Sequence, residues 1–329
     1  MKDRRRPRRA PAGPAAPSRV GRVAPRAEGA PREPIPRALL APPEADELVV
    51  VVGPTASGKT ELAIDLAERW GGEVVSADSV QIVRGFDVGS GKPTAAERLA
   101  APHHLIDAVD PLEPMDAARY AAMADDVIGA LRAAGKVPVV CGGTFLWVKA
   151  LVQGLAPGVA ADPAVRARHA AIVEAEGRAA LHARLAQVDP EAAARLAPND
   201  ALRVSRALEV FEVSGVTQTA WHAAHGFRTA RHRARLVGVA RSREDVDARI
   251  AARVHAWLEG GWIEEVERLI EAGFRDARAM TSVGYRQIAE SIEGRLPRAE
   301  LEAAIVRTTR TFVRRQRTWL RDEDVTWVQ

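Results

Sequence analysis

Short runs of consecutive apolar residues alternate with amphipathic stretches in the first half of the chain. Residues 48–52, 74–76 and 137–141 are largely apolar, and such runs are typical of strands buried on both faces of a parallel sheet. After the first run, residues 60–70 space their apolar side chains as a helix does. The alternation of strands and helices predicts an α/β fold with a parallel sheet.

The pattern changes between residues 162 and 219, where strand signals disappear. This segment is rich in Ala, Arg and Leu at helical spacing. It also contains three residue pairs that suit helix starts, because a capping side chain precedes each helical run. These pairs are Asp162-Pro163, Asp189-Pro190 and Asn199-Asp200. Residues 236–240 restore an apolar strand, and helical patterns follow to the C-terminus.

These boundaries predict a tail, a core and an insertion. The tail spans residues 1–46, the α/β core spans 47–160 and 236–329, and the helical insertion spans 161–235. The tail holds 10 of the 21 prolines, and we expect it to be disordered because it buries too little apolar surface to offset ordering. We also expect it to be dispensable, with weak electrostatic attraction to RNA as the alternative.

The net charge of +4 is located in this tail. Residues 1–46 carry 11 basic and 5 acidic residues, whereas the rest of the chain carries 36 basic and 38 acidic ones. No apolar run reaches the roughly 18 residues that a membrane-spanning helix needs. A single cysteine, Cys141, excludes an internal disulfide and is expected to be buried. We therefore expect a cytoplasmic protein without a membrane partner.

The segment after the first strand is a phosphate-binding motif. Residues 53–60 match the G-x-x-x-x-G-K-[ST] P-loop, placed between a strand and a helix. Its backbone N–H groups and the helix N-terminus suit an anion. Lys59 is expected to hold the terminal phosphate, and the Thr60 hydroxyl to coordinate Mg²⁺. The predicted phosphate-binding residues are Gly53, Pro54, Thr55, Ala56, Ser57, Gly58, Lys59 and Thr60.

The P-loop alone does not identify the ligand, since most proteins with this loop bind ATP or GTP. The guanine-specifying Asn-Lys-x-Asp motif is absent, and no second acidic strand end is evident. Instead, Asp78-Ser79-Val80-Gln81 follows the second predicted strand, at the edge where a parallel sheet places its catalytic groups. This combination suits a small-molecule kinase or another group transfer from a diphosphate.

A stripe of arginines marks the last predicted helix. Its members follow one another at steps of 3, 4, 3 and 4, which places them on one helical face, and no acidic residue interrupts them. They are Arg307, Arg310, Arg314, Arg317 and Arg321. An RNA-facing surface explains this charge, and a solvated or acid-paired face is the alternative. The core-facing side is predicted to contain Phe312, Val313, Trp319 and Leu320.

Taken together, these blocks resemble the tRNA dimethylallyltransferases, also called isopentenyl-diphosphate:tRNA transferases. The resemblance covers residues 48–321, and the blocks occur in the order of that family. They are residues 53–60, 78–81, 87–93, 102–107 and 142–144, then Asn199-Asp200 with Arg203, Arg206, Ala207 and Glu209, then residues 283–286 and 308–319. Many families share a P-loop, whereas this ordered set is highly specific. It implies a P-loop NTPase-like parallel sheet core with an inserted all-helical domain.

The resemblance implies transfer of a dimethylallyl group from dimethylallyl diphosphate to N6 of adenosine 37 in tRNAs reading codons that begin with U. Lys59, the loop amides and Mg²⁺ would stabilise the departing diphosphate, and Arg243 is assigned to the same ligand. Asp78 is the implied general base, with an N-cap or a carboxylate near Mg²⁺ as its alternative role. Thr144 matches a threonine at the reacting centre, although a tight turn alone would also explain Gly142-Gly143-Thr144.

The same resemblance assigns the contacts with the tRNA anticodon stem-loop. The adenosine must be flipped out of the stacked loop to reach the diphosphate, and Asp78, Ser79, Val80 and Gln81 would contact it. The remaining assigned contacts are Lys92, Thr144, Arg166, Leu202, Arg203, Val204, Ser205, Arg206, Gly284, Tyr285, Arg286, Arg310, Arg314, Arg315, Gln316, Arg317 and Arg321. The zinc-finger ligands of eukaryotic relatives are missing, so the chain resembles the bacterial type. We also expect a monomer.

Some features depart from the family or favour other functions. Val83 and Trp147 stand where the family usually has Tyr, so no hydrogen-bonding role is assigned to either. The histidines have no fitting Cys or carboxylate spacing, and no metal is assigned to them. A kinase would not explain the insertion or the arginine stripe, a free-adenylate prenyltransferase would need neither, and a non-catalytic RNA-binding protein would not explain an intact P-loop with Asp78.

Overall fold

A parallel sheet lies at the centre of the computed structural model, which describes residues 41–155, 159, 161–226 and 230–328. Six strands form this sheet in the order β3-β2-β4-β1-β5-β6, and every neighbouring pair is parallel. They are β1 (Glu47–Val52), β2 (Glu73–Ser76), β3 (His103–His104), β4 (Pro138–Gly142), β5 (Arg233–Val239) and β6 (Val325–Val328). The parallel α/β sheet predicted from the apolar runs is therefore confirmed.

The two outermost strands were not predicted. β3 consists of two half-buried histidines, and β6 leaves Trp327 48% exposed. Strands at the edges of a sheet pack less completely, so they lack the continuous apolar runs that marked β1, β2, β4 and β5. The expectation that helical patterns continue to the C-terminus was wrong, because the chain returns to the sheet as β6.

Helices cover both faces of the sheet. Residues of β1 alternate between the two cores, with Val50 and Val52 in one and Val49 and Val51 in the other. The described helices are α1 (Lys59–Trp70), α2 (Ala95–Ala100), α3 (Ala117–Ala133), α4 (Phe145–Gln153), α5 (Pro163–Glu176), α6 (Arg178–Val188), α7 (Pro190–Arg195), α8 (Ala201–Ser214), α9 (Gln218–His225), α10 (Arg243–Glu259), α11 (Trp262–Glu271), α12 (Tyr285–Ile292) and α13 (Leu301–Leu320). The first helix packs on one face, and α3, α4 and α10 to α13 contribute to the other.

Helices α5 to α8 have a separate small core that includes Leu181, Leu185 and Leu208. The predicted helix starts are confirmed, because the side chains of Asp162, Asp189 and Asp200 each accept a backbone hydrogen bond in the first turn. These caps use local hydrogen bonds, which explains why the sequence pattern was sufficient. The insertion boundaries remain a prediction, although β5 already begins at Arg233.

The end of the predicted tail contacts the folded body. Arg233 on β5 forms ion pairs with Glu44 and Asp46, and Arg132 donates a hydrogen bond to the carbonyl oxygen of Asp46 at 3.2 Å. The disorder predicted for residues 1–40 concerns a segment outside the described residues. Among the helices that the structure describes, none is long and apolar enough to cross a membrane.

Candidate active site

The P-loop connects the end of β1 to the start of α1. Gly58 precedes the helix with a φ of 97°, a left-handed conformation that glycine adopts without strain. A Cβ at Gly53 would lie 2.6 Å from Ser57 Oγ, so a side chain there would fill the loop. Ser57 Oγ is buried and has no hydrogen-bond partner within the described structure. An anion in the loop would satisfy this donor.

Lys59 lies at the start of α1, beside the turn that follows β4. Its Nζ is 3.7 Å from the position that a Cβ at Gly143 would occupy. Desolvation lowers the pKa of Lys59, and the charge of Arg253 acts in the same direction, while Asp78 opposes this effect. A desolvated ammonium group gains strongly from an anionic ligand, because few water molecules compete for its charge.

Arg241, rather than Arg243, contacts the P-loop. Its Nε donates a hydrogen bond of 2.8 Å to the carbonyl oxygen of Ser57. Arg243 is the first residue of α10 and is exposed, and no contact with the loop is seen for it among the described residues. The sequence contained a signal for this contact, because Arg241 lies just after β5. Strands β5 and β1 are parallel neighbours and end at the same edge of the sheet, where the P-loop begins.

Asp78 and Thr144 meet at the same edge of the sheet, where β2, β4 and β1 end side by side. The Oδ1 atom of Asp78 accepts backbone hydrogen bonds from Val80 at 2.9 Å and Gln81 at 3.2 Å. Thr144 Oγ1 accepts one from the backbone of Ser79 at 3.1 Å. The bonds from Val80 and Gln81 fix the orientation of the Asp78 carboxylate, and the bond to Ser79 places Thr144 next to the same turn. The alternative role of Asp78 as an N-cap predicts the same backbone hydrogen bonds.

Gly142 allows this approach. A Cβ at Gly142 would lie 2.2 Å from the carbonyl oxygen of Ala77, which no other residue could accommodate without moving the backbone. The backbone N–H of Thr144 then donates to that same carbonyl oxygen at 3.3 Å. The close packing of the β2 and β4 ends therefore requires Gly142 and positions Thr144 beside Ser79. A Cβ at Gly143 would instead lie 2.6 Å from Gln316 Nε2.

Gln316 was predicted to contact RNA, but in the structure it is buried between the P-loop and the turn after β4. Only 4% of the residue is exposed. Its Oε1 accepts a hydrogen bond of 2.9 Å from the backbone N–H of Thr55, and its Nε2 donates one of 3.1 Å to the carbonyl oxygen of Gly143. Both polar atoms thus bind the protein itself, and the burial of the side chain keeps the amide from contact with RNA.

Lys92 was also predicted to contact RNA, and its charge is instead compensated internally. Its side chain is 5% exposed. Nζ donates to the carbonyl oxygen of Val83 at 2.8 Å and forms ion pairs with Asp87 at 2.7 Å and Asp107 at 2.5 Å. A buried ammonium needs such partners, so Lys92 stabilises the loop over residues 83–93 rather than offering its charge to a ligand.

Gln81, Gly284 and Tyr285 also have structural partners. Gln81 Nε2 donates to the carbonyl oxygens of Ser90 and Gly91 at 3.2 and 3.0 Å. Tyr285 is completely buried, and its hydroxyl donates to Glu265 at 2.6 Å. Gly284 is buried where a Cβ would collide with a tryptophan ring. Of the predicted block around residue 285, only Arg286 is exposed.

Two predicted RNA-binding arginines of the insertion pair with a buried carboxylate. Arg166 and Arg206 form ion pairs of 2.8 and 2.7 Å with Glu209, whose side chain is fully buried. Burial by itself would raise the pKa of Glu209, but the hydrogen bonds from both arginines lower it to about 2. Arg166 on α5 therefore links that helix to α8, whereas Arg206 pairs with Glu209 within α8, and each arginine keeps an exposed part.

The predicted block 202–206 presents a mixed surface. Leu202 is 80% exposed, and Arg203 is exposed beside Asp200, 3.3 Å away. Val204 is completely buried in the insertion core, so its side chain cannot reach RNA. Ser205 Oγ bonds to His169 Nδ1 at 2.9 Å.

The arginine stripe on α13 is divided by the structure. Arg310 forms an ion pair of 3.4 Å with Asp247, and Arg317 donates to the carbonyl oxygen of Arg241 at 3.3 Å. The acid-paired alternative therefore holds for Arg310. The stripe members Arg307, Arg314 and Arg321, together with the neighbouring Arg315, are exposed.

The apolar side of α13 was predicted only in part. Val313 and Leu320 are 5% and 2% exposed, as expected, whereas Phe312 and Trp319 are 40% and 43% exposed. The wrong assignments arise because each lies one residue before a core position, which rotates it by about 100° around the helix. Trp319 instead lies under the ammonium group of Lys149, 5.3 Å from the ring centroid.

Cys141 and the two departures from the family pattern are buried. Cys141 is 7% exposed, which confirms its expected burial, and burial raises the pKa of its thiol to about 11. Val83 and Trp147 are 6% and 5% exposed, and the indole of Trp147 stacks on Tyr120 at 4.5 Å. No cluster of His, Cys, Asp and Glu that could hold a metal is found within the described ranges.

A P-loop between β1 and α1, with the candidate catalytic residues Asp78 and Thr144 at neighbouring strand ends, places the chain in the class of P-loop proteins that act on phosphate compounds. Comparison with known proteins then identifies the family. The IPP transferase family model matches residues 81–323, and the isopentenyl transferase family model matches residues 46–108.

Curated relatives carry names that agree with these matches. A tRNA dimethylallyltransferase of Sorangium cellulosum is 69% identical, covering 88% of this chain and 92% of the relative. Another from Anaeromyxobacter dehalogenans is 50% identical, covering 85% and 94%. The crystal structure of a tRNA isopentenylpyrophosphate transferase from Bacillus halodurans has a TM-score of 0.64 at 35% identity, covering 86% and 89%. The chain belongs to the IPP transferase family of prenyl-group transferases, which confirms the resemblance seen in its sequence.

Proposed function

We propose that this protein transfers a dimethylallyl group from dimethylallyl diphosphate to N6 of adenosine 37 in the anticodon stem-loop of tRNAs reading codons that begin with U. The observation that carries the proposal is the meeting of three groups at neighbouring strand ends: the P-loop after β1, Asp78 after β2 and Thr144 after β4. Because its proposed substrate is tRNA, we place the protein in the cytoplasm; a monomer stays a prediction.

The P-loop suits the diphosphate of the donor. The N-terminus of α1, the unpartnered Ser57 Oγ and the desolvated Lys59 all favour an anionic ligand. As the bond between the dimethylallyl carbon and the diphosphate oxygen breaks, charge grows on the leaving group. Groups already oriented towards it stabilise that charge at no cost of reorganisation, which lowers the barrier.

Asp78 suits the acceptor side of the reaction. The N6 nitrogen forms a bond to the dimethylallyl carbon and must lose one proton, and the Asp78 carboxylate accepts it. Backbone hydrogen bonds from Val80 and Gln81 hold this carboxylate beside Thr144. The Thr144 hydroxyl lies on the same side, where it can hydrogen-bond to the substrates as they react.

Mg²⁺ fits the oxygen ligands present at this site. The Thr60 hydroxyl follows the P-loop lysine, and Asp78 lies close enough to influence the Lys59 ammonium electrostatically. Hydroxyl, carboxylate and phosphate oxygens are the ligands that Mg²⁺ prefers. When bound, the ion would supply positive charge to the diphosphate, and we propose Thr60 as its protein ligand.

The tRNA surface is proposed to include only the arginines that remain exposed. Arg314, Arg315 and Arg321 on α13 and Arg203 on α8 are exposed, and arginine contacts with phosphates position RNA without reading its sequence. The buried Lys92 and Gln316 are excluded from this proposed surface, because their polar groups already bind protein atoms.

Replacing Arg314 and Arg321 together by Ala should weaken tRNA binding and reduce its salt dependence. If each arginine neutralises one phosphate, the slope of log K against log salt should become shallower by about 1 to 2. Titrations of tRNA at several salt concentrations measure this slope. The matched control, Arg132→Ala with Lys136→Ala, removes the same charge at the opposite edge of the sheet, about 20 Å away, and should keep the slope. A slope unchanged in the α13 variant would exclude this surface.

Mass analysis of nucleosides tests the function. Purified protein, dimethylallyl diphosphate, Mg²⁺ and unmodified tRNA should give N6-dimethylallyladenosine, and a tRNA with guanosine at position 37 should give none. ATP in place of dimethylallyl diphosphate tests the kinase alternative, and free AMP in place of tRNA tests the free-adenylate alternative. Modification of AMP at a comparable rate, or none of tRNA, would contradict the proposal.

A further inference from the structure

The Gln316 side chain connects the P-loop to the turn after β4. Strands β1 and β4 pair as far as Val52 and Gly142, but no backbone hydrogen bond joins residues 53–58 to residues 143–144 in the described structure. The Gln316 amide spans this gap with one bond to Thr55 and one to Gly143. It therefore sets the relative position of the P-loop and the turn that carries Thr144.

We propose that Gln316 is a positioning residue for group transfer: its amide fixes the diphosphate-holding P-loop against the Thr144 turn and thereby sets the distance between the reacting groups. This inference rests on the proposed function, in which the loop holds the donor and the Asp78–Thr144 side holds the acceptor. Reacting atoms must approach to about 3–3.5 Å, and a displacement of about 1 Å can reduce a rate about 100-fold.

The chemistry of a primary amide fits this position. The Thr55 N–H requires an acceptor and the Gly143 carbonyl requires a donor, and the amide supplies one of each. A Cβ at Gly143 would lie 2.6 Å from Gln316 Nε2, so the turn is also shaped to admit the amide. A buried residue with both bonds satisfied is held rigidly.

The next residue on α13 strengthens the same connection. Arg317 donates to the carbonyl oxygen of Arg241, and the Arg241 side chain donates to the carbonyl oxygen of Ser57. Neighbouring residues of α13 therefore hold the P-loop at Thr55 and, through Arg241, at Ser57. The loop is positioned by a helix that follows it by more than 240 residues in the sequence.

The test replaces Gln316 by Met, which keeps the length of the side chain but has neither hydrogen-bonding group. We expect the single-turnover rate at saturating substrates to fall by about 10- to 100-fold, with unchanged dissociation constants for tRNA and dimethylallyl diphosphate. Hydrogen–deuterium exchange in peptides covering residues 53–60 should become faster. Gln316→Glu retains an acceptor for Thr55 but cannot donate to Gly143, and its rate should also fall.

Thr309→Val is the matched control, because Thr309 is buried on the same helix and bonds only to the carbonyl oxygen of Ile305. It reports the cost of removing a buried hydroxyl from α13 without touching either loop, and its rate and loop exchange should stay normal.

Three results would overturn the proposal. A weaker tRNA affinity with a normal single-turnover rate would assign Gln316 to RNA binding. Equal losses of rate and melting temperature in the Gln316 and Thr309 variants would show a general structural role. Normal hydrogen–deuterium exchange of the P-loop in Gln316→Met would reject the positioning role. This result does not depend on catalysis. If the wild type transferred no dimethylallyl group, that finding by itself would reject only the proposed function.

Discussion

Lys59→Ala should reduce the single-turnover rate of dimethylallyl transfer by about 100- to 1000-fold and leave tRNA affinity nearly unchanged. The ammonium group lies beside the P-loop and is desolvated there, so it has few water molecules to lose when the proposed leaving group gains charge. The proposed RNA surface on α13 does not include it. Rapid-quench measurement with labelled dimethylallyl diphosphate gives the rate, and a binding titration gives the tRNA affinity.

Lys136→Ala is the control for loss of one lysine charge. Lys136 lies just before β4, at the opposite edge of the sheet from the P-loop, and its side chain is 47% exposed. Its removal should not alter the rate. If the Lys59 variant kept a near-normal rate, the P-loop lysine would have no role in the mechanism. If its tRNA affinity fell by the same factor as its rate, Lys59 would be assigned to RNA binding.

Asp78→Asn should reduce the single-turnover rate by about 100- to 10,000-fold while both substrates still bind. The asparagine Oδ1 can accept the same backbone hydrogen bonds from Val80 and Gln81, so the turn beside Thr144 is retained. The amide cannot take the proton released from N6. Rates and dissociation constants measured on the same preparation separate the chemical step from binding.

This substitution also distinguishes the base from a purely structural cap. A capping aspartate tolerates asparagine well, so a structural Asp78 would keep its rate in Asp78→Asn. Asp116 provides the comparison, because its side chain caps α3 by accepting a hydrogen bond of 2.9 Å from the backbone of Arg119. Asp116→Asn should be neutral, and an equally neutral Asp78→Asn would reject the general-base role.

Features that depend on nearby residues were predicted from the sequence. The strands β1, β2, β4 and β5 follow from apolar runs, because strands buried on both faces need apolar side chains throughout. The helix starts at Asp162 and Asp189 follow from capping side chains that bond to residues two or three positions later. The P-loop was equally visible, since its turn and helix N-terminus are contiguous in the chain.

The roles of charged and polar side chains were harder to predict. Lys92 and Arg166 belong to blocks that resemble RNA-contacting segments, yet carboxylates compensate both of them. Arg310 and Arg314 belong to the same stripe, but of these two only Arg310 forms an ion pair with Asp247 on a neighbouring helix. Residue type and spacing indicate which charges are present, and they do not show which ones a distant partner neutralises.

The sequence by itself determined the family, the P-loop and the identities of Asp78 and Thr144 as candidate catalytic residues. Only the tertiary structure decided that Arg241 rather than Arg243 touches the loop, and that Gln316 lies between the loops instead of facing RNA. The physical reason is the separation of the partners in the chain: Gln316 binds residues 261 and 173 positions away. Such contacts exist only once the sheet has brought its strand ends together, and no local pattern encodes them.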